Sequence, residues 1–183
     1  LPSYARSHPN VDVTVREVDT YLGSELLQRR EIDIAVVRHG PARPWLRHVT
    51  LTSEPFVLAA PADWELPRGV QKDLGKAADL PWVWIPRSGT PDYHDQVAAC
   101  CRNAGFTPRA THLAQSISSQ LAMVAAGLGV ALVPASSAAV QDGIASVRVR
   151  TPLTIAMSAL FRTDADLLVA EFIDVLATAS RSD

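Results

Sequence analysis

The run from Leu121 to Ala135 constrains this chain's fold more tightly than any other stretch. It is almost wholly apolar, yet it falls short of the roughly 20 residues a membrane-spanning helix needs, and Gly127, Gly129 and Pro134 interrupt it. The segment before the first glycine reads as a helix, from about Ser116 to Ala126. Gly127 then serves as its C-cap, and Gly129 opens a buried strand running to about Val133. In a dinucleotide site the glycines follow a strand and open a helix, so that the helix N-terminus meets the pyrophosphate. Here the order is helix, glycines, strand, which excludes that reading. No G-x-x-x-x-G-K-[ST] cradle occurs, and no cofactor is expected.

The rest of the chain alternates in the same way. Val11, Val13 and Val15 alternate with Asp12, Thr14 and Arg16, the period of a strand. Leu22, Leu26 and Leu27 follow helical spacing behind Asp19 or Thr20 as N-cap. Ile32 to Val37 is a β-branched run expected to be a strand covered on both faces. Extended chain is expected over 49–60, a short helix near 72–78 and a strand over 82–85. Thr90-Pro91-Asp92 combines a capping residue, a proline at the first helical position and an acid at the positive helix end. That helix should run to about Asn103, just before Gly105. A strand over 110–113, a short helix over 135–141 and extended segments over 145–150 and 153–162 follow. The last helix, about 165–179, would place Leu168, Phe172, Leu176 and Ala179 on one face. The class is α/β, with a mainly parallel sheet expected.

The chain has 183 residues, 48% hydrophobic and 20% charged, a globular mixture sized for one domain or two small lobes. Its 17 basic and 19 acidic residues give a formal charge of −2. That lacks the basic surplus which holds phosphate backbones, so these residues are not expected to grip nucleic acid by themselves. The opening Leu1-Pro2-Ser3-Tyr4-Ala5-Arg6 lacks Met, a basic leader and an apolar leader. The expectation is a soluble protein whose numbering starts inside a longer polypeptide. Cys100 and Cys101 are adjacent and cannot form a disulfide framework, so they read as helix filler in a reduced, intracellular protein. No second cysteine pair or spaced histidine pair supplies a zinc site, and His8, His39, His48 and His112 share no metal spacing.

Ser88-Gly89 sits at a strand-to-helix turn with His94 and Asp95 nearby, but the G-x-S-x-G elbow of a serine nucleophile is absent. His94 is expected to be a solvated surface residue, no catalytic residue is assigned, and the chain is not read as an enzyme. Trp45, Trp64, Trp82 and Trp84 are read as packing residues. A more informative pattern is that three helices begin directly after strands at small polar residues: Thr20, Ser88 to Thr90, and Ser116 to Ser119. Each hydroxyl can simply cap its own helix. Converging N-termini would also bind an anion without any lysine, at the carboxyl ends of strands where open α/β sheets take their ligands.

Leu121 to Pro134 (LAMVAAGLGVALVP) resembles the "LVAAGLGIALLP" signature of LysR-type transcriptional regulators. His8-Pro9-Asn10 before an alternating segment resembles that family's "(Y/H)P-x-V-x-(L/V)" motif. Glu31-Ile32-Asp33-Ile34-Ala35 resembles its "G-x-(L/I)-D-(L/V)-A", and Glu54-Pro55-Phe56-Val57-Leu58 its "E-x-(L/F)-V-L". The motifs keep the family's order at similar intervals, so the resemblance spans nearly the whole chain.

The resemblance implies the C-terminal effector-binding domain, with two Rossmann-like lobes of the type 2 periplasmic binding protein fold and a ligand cleft between them. Residues 1–60 plus 151–183 would form lobe I and residues 61–150 lobe II, with crossovers near 59–62 and 148–151. The implied ligand is a small anionic metabolite, commonly a carboxylate or aromatic, contacted at Thr20, Arg87, Ser88, Gly89, Thr90, Ser116, Ile117 and Ser118. The family's first strand with its Ser/Thr turn, and its winged helix-turn-helix, would lie outside these residues, so DNA contact belongs to the parent protein. A cytoplasmic homodimer with no membrane partner is implied. An extracytoplasmic solute-binding protein of the same fold is the alternative. An enzyme on this fold would need a base or metal where the candidates are hydroxyls and backbone donors.

Overall fold

The structure, a computed structural model, describes residues 2–18, 20–38, 40, 42–88 and 90–180; of residues 2, 3, 5, 20 and 21 it describes the backbone alone. In chain order the elements are α1 (Pro2–Ser7), α2 (Thr20–Gln28), β1 (Ile34–Arg38), β2 (Leu46–Pro61), a 3₁₀ turn (Leu74–Ala77), β3 (Trp82–Trp84) and α3 (Pro91–Asn103). There follow β4 (Ala110–Leu113), α4 (Ile117–Ala125), β5 (Ala131–Pro134), α5 (Ala135–Ala139), β6 (Ile144–Arg148), β7 (Thr154–Arg162) and α6 (Leu167–Ala179). The chain forms two compact units, residues 1–53 with 156–183 and residues 54–155. It passes between them twice, within β2 and within β7.

In the first unit β1 pairs antiparallel with β7, from Ile34 opposite Phe161 to Arg38 opposite Met157, and β7 is bonded to β2 on its other side. Successive β7 side chains face opposite ways. Ala159 and Phe161 pack with Leu51 and with Val169, Ile173 and Ala177 of α6, whereas Leu160 packs with Leu27, Ala35, Val37 and Leu46. The α2 helix lies close on β1: a Cβ at Gly23 would stand 3.3 Å from the Cβ of Ala35. Arg162 holds that helix end, donating to the carbonyls of Leu27 (3.1 Å) and Ile32 (3.0 Å). Asp166 caps α6 by accepting from the Val169 amide at 3.0 Å.

Three expectations for this unit need correction. The alternating stretch 11–16 forms no strand and pairs with none among the described residues, and Val13 and Val15 are 43% and 75% exposed. Alternation defines a face, but a strand exists only through a hydrogen-bonded partner. The β1 strand is covered on one face rather than two, since Val36 is 50% exposed between buried Ala35 and Val37. On α6 the buried stripe is Val169, Ile173 and Ala177, one residue along from the expected face, and Leu168 is 45% exposed. This helix is apolar on more than one side, so spacing gave its period without its phase; Phe172 meets Tyr4 of α1 edge-on instead.

In the second unit β3 pairs parallel with β4, Trp82 opposite Ala110, Val83 opposite His112 and Trp84 opposite Leu113. Trp82 also bridges Val130 in parallel on the other side. Strands β5 and β6 both pair antiparallel with β2. The mainly parallel sheet expected from alternation is therefore confined to β3, β4 and the Val130 bridge. Helices α3 and α4 supply the crossovers that parallel pairs need, whereas β2 and β7, which carry the chain between the units, take antiparallel partners. Trp82, Val83, Val97, Leu121, Val124, Leu132 and Val133 are among the side chains buried in this unit's core.

The two glycines that shape the 121–135 run act differently. Gly127 has φ of 82°, in the left-handed region, and its amide donates to Val124 O (2.9 Å) while that of Leu128 donates to Met123 O (3.1 Å). This is the Schellman closure of α4. Gly129 is needed for room: a Cβ there would stand 2.4 Å from the carbonyl oxygen of Pro81. That contact lets Val130 donate to Pro81 O at 2.8 Å and accept from Val83 N at 2.9 Å. Gly129→Ala should therefore cost roughly 1–3 kcal/mol or more, as overpacking against backbone does. Gly127→Ala should cost about 1 kcal/mol, the left-handed penalty alone. Urea unfolding of both variants checks this order.

Candidate functional site

Parallel pairing of β3 with β4 carries the chain out of both strands at the same sheet edge. The loop after β3 holds Arg87, Ser88 and Thr90 and leads into α3; the loop after β4 leads through Ala114 to Ser116 and α4. The Ala114 amide donates to Trp84 O at 2.8 Å, tying the two strand ends together. Two of the three expected helix N-termini thus open from one edge of one small sheet. The third candidate, Thr20, begins α2 of the other unit and is described by backbone alone.

At the first turn, Arg87 grips Asp95 of α3 with two nitrogens: Nε lies 2.9 and 3.1 Å from the two carboxylate oxygens, and a terminal nitrogen lies 2.9 Å from Oδ2. Both side chains are exposed. Their hydrogen bonds and charges hold the Asp95 carboxyl below the usual carboxylate range and raise the Arg87 guanidinium above its own. Ser88 is exposed in the turn, and Gly89 lies outside the described residues. Thr90 precedes α3 without capping it, and its buried hydroxyl has no hydrogen-bond partner among the described residues.

His94 is not the solvated histidine its position one turn into a capped helix suggested. Its ring meets Trp84 edge-on at 5.4 Å, and its Nδ1 lies 3.1 Å from the indole nitrogen and 2.9 Å from Ile85 O. The helix turns it back onto β3, so it is absorbed in packing. Trp82 and Trp84 are buried as expected of packing residues.

At the second turn, Ser116 and Ser119 form a reciprocal capping box. Ser116 Oγ accepts from Ser119 N at 3.1 Å, and Ser119 Oγ accepts from Ser116 N at 3.0 Å. The Ser116 hydroxyl therefore serves its own helix. What remains for a ligand are the amides of Ile117 and Ser118, which as the first two of a helix have no helical acceptor. Ile117 packs its side chain on the core and Ser118 is exposed.

Gln120, which composition and motif reading passed over, is 1% exposed. It sits in the apolar stripe Ile117, Gln120, Leu121, Val124, where a polar residue at a core-facing position is the signal that could have marked it. Among the described residues no group of three or more His, Cys, Asp or Glu could hold a metal ion. Cys100 and Cys101 are buried free thiols on α3. Burial raises both, that of Cys101 to about 12.

Residues 1–181 match the LysR substrate binding domain, and the chain belongs to that family. The HTH-type transcriptional regulator TfdS of Cupriavidus pinatubonensis (strain JMP 134 / LMG 1197) is 30% identical over 143 residues, 77% of this chain and 48% of TfdS. BenM of Acinetobacter baylyi (strain ATCC 33305 / BD413 / ADP1), another such regulator, is 27% identical over 140 residues, 75% of this chain and 46% of BenM. The chain thus spans about half the length of these curated relatives.

Full-length CbnR in complex with its target DNA superposes with a TM-score of 0.84 at 25% identity, over 100% of this chain and 65% of CbnR. The BenM effector binding domain with its effector benzoate gives 0.83 at 21% identity, over 99% of this chain and 84% of that one, a likeness of fold. The fold is that of the LysR effector-binding domains, built like a type 2 periplasmic binding protein.

Two outcomes follow from this geometry. Ser116→Ala should destabilise the chain by about 1 kcal/mol, the worth of an N-cap, and Ser116→Asp should restore most of it, as urea titration would show. Cys100 and Cys101 should resist iodoacetamide at pH 8 in the folded chain and react freely once it is unfolded, since the thiolate is the nucleophile.

Proposed function

We propose that this chain is the effector-sensing part of a LysR-type transcriptional regulator, and that it binds a small carboxylate at the N-termini of α3 and α4. The observation that carries this reading is the parallel β3–β4 pairing, which opens both helices from one sheet edge, with Arg87 in the loop between β3 and α3. Unpaired first-turn amides and the positive helix end favour an anion there. The family membership supports a sensor, and the benzoate seen with the BenM domain supports a carboxylate. At these two turns Arg87, Ser88, Gly89, Thr90, Ser116, Ile117 and Ser118 are the proposed contacts; Thr20 lies in the other unit. Through their first-turn amides Ile117 and Ser118 would supply donors, and Arg87 would supply a directed, charged donor while its guanidinium stays paired with Asp95.

On this reading residues 1–60 with 151–183 form lobe I and residues 61–150 lobe II, and the chain performs no chemistry. The ligand acts only through its preference for one of two states of the regulator. The parent protein is a cytoplasmic homodimer that meets DNA through a separate domain. Regulators such as TfdS and BenM among the relatives favour this reading over an extracytoplasmic solute-binding protein.

Benzoate should raise the chain's Tm in a concentration-dependent way, because a ligand of the native state stabilises it. Benzamide, which lacks the charge, should not, and Arg87→Ala should weaken benzoate about tenfold or more, as loss of a charged hydrogen bond does. Equal shifts with benzoate and benzamide would overturn the anion assignment. Sedimentation at micromolar concentration should show dimers.

A further inference from the structure

A continued parallel ladder between β3 and β5 would use a fixed set of partners. The Val130 amide donates to Pro81 O at 2.8 Å and Val83 N donates to Val130 O at 2.9 Å. The next two bonds of such a ladder would run from Leu132 N to Val83 O and from Ile85 N to Leu132 O. The pairing instead stops at the single Trp82–Val130 bridge. The two carbonyls that the next rungs would occupy are taken by side chains: Gln120 Nε2 donates to Val83 O at 2.8 Å, and the Tyr93 hydroxyl donates to Leu132 O at 2.9 Å. The same hydroxyl lies 3.2 Å from Gln120 Oε1. Gln120 and Tyr93 are 1% and 4% exposed. Burying such groups costs several kcal/mol unless they are hydrogen-bonded, so both are held to these partners.

Tyr93 lies in the first turn of α3 and Gln120 in the first turn of α4. The pair therefore joins the two turns proposed above to hold the anion, and fixes both to the strand ends at the point where β3 and β5 stop pairing. We infer that Tyr93 and Gln120 are positioning residues, which set the spacing of the α3 and α4 N-termini and so the geometry of the effector site. This rests on the proposed carboxylate reading for its functional meaning, but its structural content can be tested without a ligand. One phenolic proton faces two acceptors, so removing it strips both Leu132 O and Gln120 Oε1 of their donor. Neither residue need touch the effector.

The first closing bonds of the helices are His94 N to Thr90 O and Gln120 N to Ser116 O, both 2.9 Å. Amide hydrogen exchange of His94 and Gln120 in the 183-residue chain reads them. Tyr93→Phe should speed exchange at both by about tenfold, including Gln120 on the helix that carries no substitution. Val97→Ala, a buried position further along α3, should at matched loss of global stability leave Gln120 unchanged. Gln120→Leu, close in volume and apolar, should speed His94 in the same way and serves if Tyr93→Phe does not fold. Benzoate affinity should fall about tenfold in Tyr93→Phe relative to Val97→Ala. Exchange confined to the substituted helix, or the same pattern in Val97→Ala, would overturn the inference. If the unsubstituted chain binds no benzoate, the carboxylate reading fails while the exchange result still decides whether Tyr93 and Gln120 couple the two turns.

Discussion

Parallel strands that share a sheet all end at the same edge, and that constraint governs the second unit of this chain. Once Trp82–Trp84 is in register with Ala110–Leu113, the loops that follow must emerge together, and the helices that follow must present their positive ends from that edge. The close packing of Gly129 on Pro81 is part of the same constraint, since it admits Val130 beside Trp82. Capping at Ser116, the Schellman closure at Gly127 and the buried Tyr93–Gln120 pair all tune where those helices begin and end. The first unit depends instead on β7, whose alternating side chains serve two separate apolar layers.

Charge in the candidate site is arranged locally. Arg87 does not stand alone but shares its fork with Asp95 on the helix it precedes, so the pair contributes direction more than net charge. The backbone amides of Ile117 and Ser118 carry no counter-charge and cost no side-chain ordering. On the proposed reading such a site recognises an anion through the direction of these donors, so the spacing between the two helix starts matters more than the identity of any single hydroxyl. Ser116 illustrates this: its hydroxyl closes a capping box, and what the turn offers is its backbone.

Much of the fold was legible in the residues. Thr90-Pro91-Asp92 and Gly105 bracket α3 closely, and β4 spans 110–113 as expected. The family motifs located the domain class across the whole length. These features are local: caps, proline, glycine and apolar periods act within a few residues, so the chain itself records them. Where tertiary partners decide, the reading failed. The valines of 11–15 alternate but find no partner strand among the described residues, α6 packs one residue out of the expected phase, and His94 turns inward onto Trp84. Gln120 was passed over because a lone glutamine gains meaning only from the acceptors that surround it.

The sequence by itself determined the order of helices and strands from Thr20 onward, the helix–glycine–strand punctuation at 121–135 and the kinship with LysR-type regulators, since propensity, capping and motif spacing are properties of neighbours along the chain. Only the tertiary structure decided which strands run parallel, that two helix N-termini open from one edge, and that Tyr93 and Gln120 complete an interrupted ladder between β3 and β5. Those outcomes depend on hydrogen bonds between residues far apart in the chain, and no local pattern encodes which distant carbonyl a buried hydroxyl or amide will find.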